Sequence, residues 1–190
     1  LKNNKIIYKA INSCIAFLPS LEGKQLILVE DLVSKNGTLH TVQDAMINYH
    51  GSQCGYCTPG FVMSLFAMYK NFPSYNNENI QDSISGNLCR CTGYRPIVDA
   101  AKSLNNINGS DQFDKSKKKI INLLKKINSE NISLKSGNKK YFSPKNINEL
   151  IKNIKENPNS IFLSGGTDLS LNVTKERKDI NNIISLNSVK

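Results

Sequence analysis

No apolar run in these 190 residues is long enough to span a bilayer. The first residues also lack an apolar segment of roughly 7–15 residues, the core of a secretory signal. From those absences neither a membrane-spanning helix nor a signal peptide is expected in these residues, and the chain reads as soluble and cytoplasmic. Acidic residues are outnumbered, 15 against 25 Lys and Arg, for a formal charge of +10. The basic residues are scattered, with one short run at Lys117-Lys118-Lys119, and aromatics do not alternate with them. A nucleic-acid-binding face concentrates its charge, so neither nucleic acid nor a membrane is expected as a partner. Histidine is nearly absent: His40 and His50 flank one predicted helix and read as surface or capping residues. No general base or nucleophile for substrate chemistry can be picked out.

Cysteine is present in a telling pattern. There are five, an odd number, and four of them form tight pairs, Cys54-Gly55-Tyr56-Cys57 and Cys89-Arg90-Cys91. The spacing is too tight for a disulfide framework, and paired cysteines in a cytosolic chain favour metal. The surroundings rhyme: each pair has a Gly three residues before its first Cys, a Thr directly after its last, and a Pro shortly beyond. Four thiolates brought to one place mean a tetrahedral zinc or an iron–sulfur cluster. One pair is Cys-x2-Cys, the other Cys-x-Cys, and each precedes a predicted helix N-terminus, whose free N–H groups suit thiolate and sulfide alike. Zinc sites use such bonds too, so spacing leaves both metals open. Cys14 stands alone in Asn12-Ser13-Cys14-Ile15 and by itself reads as a small buried hydrophobe.

The pairs sit between predicted helices. A strand is expected over Gln25–Glu30. Thr41 opens a helix with Asp44 three residues on, and Gly51 should end it in a left-handed conformation. Pro59 starts a second helix, to Asn71, apolar at Phe61, Val62, Leu65, Phe66 and Tyr69. Asn77 can cap a third, to about Ser85, and Pro96 opens a fourth through Ile97, Ala100, Ala101 and Leu104. The result is a four-helix unit at 39–105 with pseudo-twofold character. Residues 106–140 read as a polar linker carrying one amphipathic helix near Ile120–Ile127. From 141, Ser143-Pro144 reads as a helix start, with Ile147, Leu150, Ile151 and Ile154 at helical spacing. A turn at Asn157-Pro158-Asn159 follows, then strands at Ile161–Leu163 and Ile183–Leu186. Both ends read as cut.

The stretches Gln53-Cys54-Gly55-Tyr56-Cys57-Thr58-Pro59-Gly60 and Gly86-Asn87-Leu88-Cys89-Arg90-Cys91-Thr92-Gly93-Tyr94-Arg95-Pro96-Ile97 resemble the helical [2Fe-2S] domain of the molybdenum hydroxylases. The resemblance implies that Cys54, Cys57, Cys89 and Cys91 bind one [2Fe-2S] cluster, two per iron, and that Gln53 contacts the molybdopterin of a partner. The region 1–38 resembles the end of the family's plant-type ferredoxin domain, a remnant of a β-grasp fold. There Cys14 matches the fourth ligand of a second [2Fe-2S] cluster, whose Cys-x4-Cys-x2-Cys loop the chain lacks. Residues 141–190 resemble the start of the family's α+β FAD-binding domain. Phe162, Leu163, Ser164, Gly165, Gly166, Thr167, Asp168 and Leu169 would line the flavin, the glycines admitting its diphosphate.

The implied whole is an α+β multidomain chain, the electron-transfer part of a xanthine dehydrogenase-type molybdenum hydroxylase. Its partner would be a molybdopterin-binding large subunit, and electrons would pass through [2Fe-2S] to FAD and then NAD. The alternatives are a non-enzymatic zinc-stabilised interaction module and the small subunit of an aldehyde or N-heterocycle hydroxylase.

Overall fold

The computed structural model describes residues 1, 5–107, 109–127 and 132–190, with the side chain of residue 106 left aside. The interval read as a linker therefore falls partly outside the described residues. The chain divides into two compact units, Leu1–Ala10 with Leu26–Leu123, and Ile11–Gln25 with Leu124–Lys190.

The first unit is helical. Its helices are α1 (Thr41–Asn48), α2 (Thr58–Asn71), α3 (Asn77–Ile84), α4 (Arg95–Ser103) and α5 (Gln112–Ile127), the last belonging to this unit as far as Leu123. On α2, Phe61, Val62, Leu65, Phe66 and Met68 recur at helical spacing and are all buried. They meet Val42, Ala45 and Met46 of α1, Ile80 and Ile84 of α3, and Ile97, Ala100 and Ala101 of α4 in one core. The paired alanines leave room for close helix approach, and the Tyr75 hydroxyl donates to the Ala101 carbonyl at 3.2 Å. Four helices, α1 to α4, form within the interval 39–105.

Its boundaries shift for identifiable reasons. His40, not Thr41, caps α1: its Nδ1 accepts from the Val42 amide at 3.2 Å, while Gln43 Oε1 accepts from the His40 amide at 2.9 Å. His40 is thus a cap, as expected, but a buried one. At the other end the left-handed residue is His50 (φ 55°), not Gly51. The His50 amide donates to Ile47 and the Gly51 amide to Met46, closing the helix. Glycine is needed at 51 for space, because a Cβ there would lie 2.8 Å from Met46 Cε and Sδ. Gly51→Ala is expected to cost about 1 kcal/mol or more through overpacking of a buried methionine, read as a lowered thermal midpoint of the helical signal. Asn76, one residue earlier than expected, caps α3, exchanging bonds with Asn79 at 2.9 and 3.1 Å.

The strand expected at Gln25–Glu30 does not form. Residues 25–28 are irregular, and the Leu28 amide donates to Asp31 Oδ2 at 2.7 Å, turning Val29–Leu32 into a 3-10 helix. Ser13–Ile15 and Leu18–Leu21 are 3-10 turns as well. Among the described residues of 1–38 no extended strand remains to represent a β-grasp remnant.

The second unit is α+β. A sheet of order β1-β2-β4-β3 is built from β1 (Ile132–Ser136), β2 (Lys139–Ser143), β3 (Ile161–Leu163) and β4 (Asn182–Ser185). β1 and β2 form an antiparallel hairpin, with Ser136 opposite Lys139; β2 and β3 each run parallel to the central β4. Helices α6 (Ile147–Glu156) and α7 (Leu169–Thr174) supply the connections that parallel pairing requires. Tyr141, Leu163 and Ile183 form its core with Phe17 against them. The interval 106–140 holds α5, which contains the amphipathic helix expected near Ile120–Ile127, and then β1 and the start of β2. Ser143-Pro144 ends β2 instead of starting a helix. α6 begins after Asn146, whose side chain accepts from the Glu149 amide at 3.0 Å. The turn at Asn157-Pro158-Asn159 is as expected, closed by the Ser160 amide on the Asn157 carbonyl at 3.1 Å.

Candidate metal centre

Each cysteine pair occupies the loop before a helix. In the first loop, Gly55 takes φ 84° and its carbonyl accepts from the Thr58 amide at 3.2 Å. The Cys57 carbonyl receives the Phe61 amide at 3.2 Å, so this cysteine is the first residue tied into α2. Pro59 falls in the first turn, where its missing N–H costs nothing. The Thr58 and Ser52 hydroxyls bond each other at 2.7 Å.

The second loop is pinned to the first helix pair. Asn87 exchanges bonds with the Ser64 hydroxyl on α2 at 2.9 and 3.0 Å. Tyr94, at φ 67°, folds its ring to within 6.2 Å of Phe61 and accepts the Cys89 amide on its hydroxyl at 3.0 Å. Thr92 does not repeat the role of Thr58, despite its rhyming position. Its hydroxyl lies 3.2 Å from Cys89 Sγ and its amide donates to the same sulfur at 3.5 Å.

These contacts join the loops through their sulfurs. The Cys54 and Cys91 thiols act on one another's ionisation, as do those of Cys57 and Cys89, so each sulfur pair takes one cysteine from each loop. The Cys57–Cys89 pair is half-buried and the Cys54–Cys91 pair exposed. Electrostatics differ among the four. The Thr92 hydroxyl, then its amide, bring the Cys89 thiol down to about 7. The Tyr56 amide and the Cys91 thiol lower Cys54. Burial pushes Cys57 up, and the neighbouring Cys54 thiol pushes Cys91 up. Among the described residues no three His, Cys, Asp or Glu side chains converge as the ligands of one ion. A two-by-two arrangement of sulfurs fits a binuclear cluster, whereas tetrahedral zinc draws its ligands to one point.

The other expected site residues are dispersed. Gln53 is exposed beside Cys54. Cys14 is exposed in the 3-10 turn of the second unit, not the buried hydrophobe its surroundings suggested. Ser164–Asp168 connect β3 to α7. Gly165 and Gly166 both take positive φ, 75° and 93°, which side-chain-bearing residues resist, and a Cβ on Gly165 would meet only open space. The backbone there is accessible on one side. Leu163 is buried in the sheet, while Phe162 is half exposed.

The helical unit and the paired sulfurs define a candidate iron–sulfur domain. Residues 28–102 match the "[2Fe-2S] binding domain" family. Over its matched segment the chain is homologous to xanthine dehydrogenases and aldehyde oxidases. It is 52% identical over 103 residues to the xanthine dehydrogenase of Blastobotrys adeninivorans, 54% of this chain and 7% of that protein. To aldehyde oxidase 1 of Oryctolagus cuniculus it is 44% identical over 99 residues, 52% of this chain and 7% of that protein. The chain therefore spans less than a tenth of the length of these relatives. A solved aldehyde oxidoreductase of Desulfovibrio desulfuricans is similar over 49% of this chain and 10% of that one, at 34% identity and a TM-score of 0.40. Among the described residues no helix is long and apolar enough to cross a membrane.

Proposed function

We propose that Cys54, Cys57, Cys89 and Cys91 hold one [2Fe-2S] cluster, and that this chain is the electron-transfer part of a xanthine dehydrogenase-type molybdenum hydroxylase. The observation that carries the reading is the pairing of sulfurs across the two loops. It gives each metal of a binuclear centre one thiolate from each half of the repeat. A bound cluster supplies one-electron transfer; the protein holds its thiolates, offers N–H and O–H donors to them, and leaves the outer pair open to a partner. Tyr56 and Leu88, 96% and 83% exposed, stand next to cluster cysteines on opposite loops. Large apolar side chains so placed suit burial against another protein surface. A molybdopterin-binding large subunit is the proposed partner and electron donor, with Gln53 on the contact side. FAD and then NAD are the proposed acceptors. Gly165 and Gly166 would admit the FAD diphosphate, Ser164–Leu169 forming one wall of its site, and Cys14 would be the orphan ligand of a second cluster.

Anaerobically reconstituted protein is expected to hold about two irons and two acid-labile sulfides, with visible absorption. Stoichiometric zinc without sulfide would overturn the reading. The chain by itself is expected to show no hypoxanthine- or xanthine-dependent NAD reduction, because it carries no substrate pocket of its own in this scheme. Turnover by the purified chain would refute that division of labour.

A further inference from the structure

We propose that the Thr92 hydroxyl is a potential-setting group for the cluster, acting through Cys89. The inference rests on the four-cysteine reading above and goes beyond it to what tunes the site.

The two halves of the repeat carry a threonine at the same place, directly after the last cysteine. Their hydroxyls have different partners. Thr58 Oγ1 is engaged with Ser52 Oγ at 2.7 Å. Thr92 Oγ1 lies 3.2 Å from Cys89 Sγ, and the Thr92 amide approaches the same sulfur at 3.5 Å. The orientation of Thr92 is fixed within its turn, because its Oγ1 also accepts the Tyr94 amide at 3.2 Å. With that lone pair committed, the hydroxyl hydrogen is free to point at the sulfur, and a metal-bound thiolate can only accept. The Cys89 backbone is itself held by the Tyr94 hydroxyl at 3.0 Å. Donor and acceptor are therefore both anchored, and both are half-buried, where a hydrogen bond to an anion is stronger than in open water.

Reduction adds one electron, and so one negative charge, to the unit of iron, sulfide and thiolate. A donor aimed at a ligand sulfur stabilises the more negative, reduced state over the oxidised one, and this raises the reduction potential. Thr92 contributes such a donor on one of the two cysteine loops, and Thr58, paired with Ser52, does not match it on the other. The near-symmetric motif is thus made electronically asymmetric by one hydroxyl. Thr92 is a positioning residue in this scheme: it touches a ligand, not a substrate.

The test uses the full chain, reconstituted with iron and sulfide, and a dithionite titration followed by visible absorption and electron paramagnetic resonance. Thr92→Val is expected to keep the parent's iron and sulfide content but to be harder to reduce. The expected shift is about tenfold in the reduction equilibrium, or about 59 mV for a one-electron couple. Thr92→Ser is expected to restore the parent potential, and Thr58→Val to leave it in place. Because Thr92 also braces the turn, the parent and Thr92→Ala are compared by electron–nuclear double resonance in deuterated buffer. A strongly coupled exchangeable proton should be present in the parent and missing from Thr92→Ala. A Thr92→Val protein with the parent's potential, or identical proton couplings in parent and Thr92→Ala, would overturn the proposal. A parent chain that takes up no two-iron cluster would instead overturn the four-cysteine reading, and it would do so before any potential is measured.

Discussion

Cys89→Ser protein is expected to emerge from reconstitution with no stable [2Fe-2S] cluster, whereas Cys14→Ser is expected to retain the parent's iron, sulfide and colour. Cys89 sits where the constraints meet. Its thiol neighbours that of Cys57 across the loops, and it is bonded to Thr92 by hydroxyl and amide and through its own amide to Tyr94. A serine there offers a harder oxygen ligand and a shorter reach, and it breaks the half-buried pair that links the loop before α2 to the loop before α4. Cys14 lies in the second unit, in an exposed turn. The loss should extend beyond iron. Binding energy at a site whose ligands come from separate helix pairs is folding energy, so the cluster-free protein should melt lower and with less helical signal than the holo form. Measured iron, sulfide and circular dichroism decide the matter. A Cys89→Ser protein with full cluster content and an unchanged melting curve would remove Cys89 from the ligand set.

Asp111→Ala is expected to be the most damaging substitution away from the cysteines, costing the helical unit about 3–5 kcal/mol, the scale for breaking a buried ion pair from one side. Asp111 lies just ahead of α5 and accepts the Phe113 and Asp114 amides at 2.9 Å each. The same carboxylate meets His40 Nε2 at 3.0 Å and Lys70 Nζ at 3.0 Å, and Lys70 also reaches Asp114 at 2.7 Å. The Lys70 side chain is only 7% exposed and its ammonium lies 5.9 Å from the Tyr8 ring, so its charge would be left half-paired, with Asp114 alone, in a buried setting. Asp111→Asn keeps the amide-accepting oxygen and should cost less. The two variants therefore separate the cap from the charge.

The network also fixes the direction of the pH dependence. Burial opposes ionisation of Asp111, but bonds from His40, the Asp114 amide and Lys70 outweigh it and hold the carboxyl well below its usual range. A carboxyl lowered on folding contributes stability above its unfolded value of about 3.9, and that stability is lost as pH falls through the lower folded value. Burial likewise opposes the charge on Lys70, and the bonds to Asp114 and Asp111 raise it overall. Its contribution is complete below about 10.5 and is lost as pH rises through the higher folded value. Urea midpoints of the parent should therefore fall on acidification below about pH 4 more steeply than those of Asp111→Asn. Parallel curves for the two proteins would show that the network carries no coupled charge.

The cysteine loops were legible in the chain because their chemistry is local. Pair spacing, a proline in the first helical turn and apolar residues at i, i+3 and i+4 are short-range signals, and they place two cysteine loops ahead of α2 and α4. The same reasoning failed where a non-local partner decides the outcome. Gln25–Glu30 has the composition of a strand, but a strand requires a neighbour, and Asp31 takes the Leu28 amide into a turn. The hairpin of β1 and β2 was missed although Gly137-Asn138 between Leu134 and Tyr141 is a two-residue turn signal; the lysines around it masked the alternation. His40 read as a surface or capping residue and is a buried cap, because Asp111, 71 residues away, supplies its partner. The sequence by itself determined which four cysteines could share a metal and which helices follow them, since those choices are made within a few residues. Only the tertiary structure decided that Cys54 meets Cys91 and Cys57 meets Cys89, that Thr92 and not Thr58 faces a sulfur, and that Asp111 joins α1, α2 and α5. The cysteine and Asp111 contacts span separate segments, and side-chain direction across such a gap is set by packing rather than by local propensity; the Thr92 contact spans only three residues, but it depends on a loop conformation that Tyr94 holds in place.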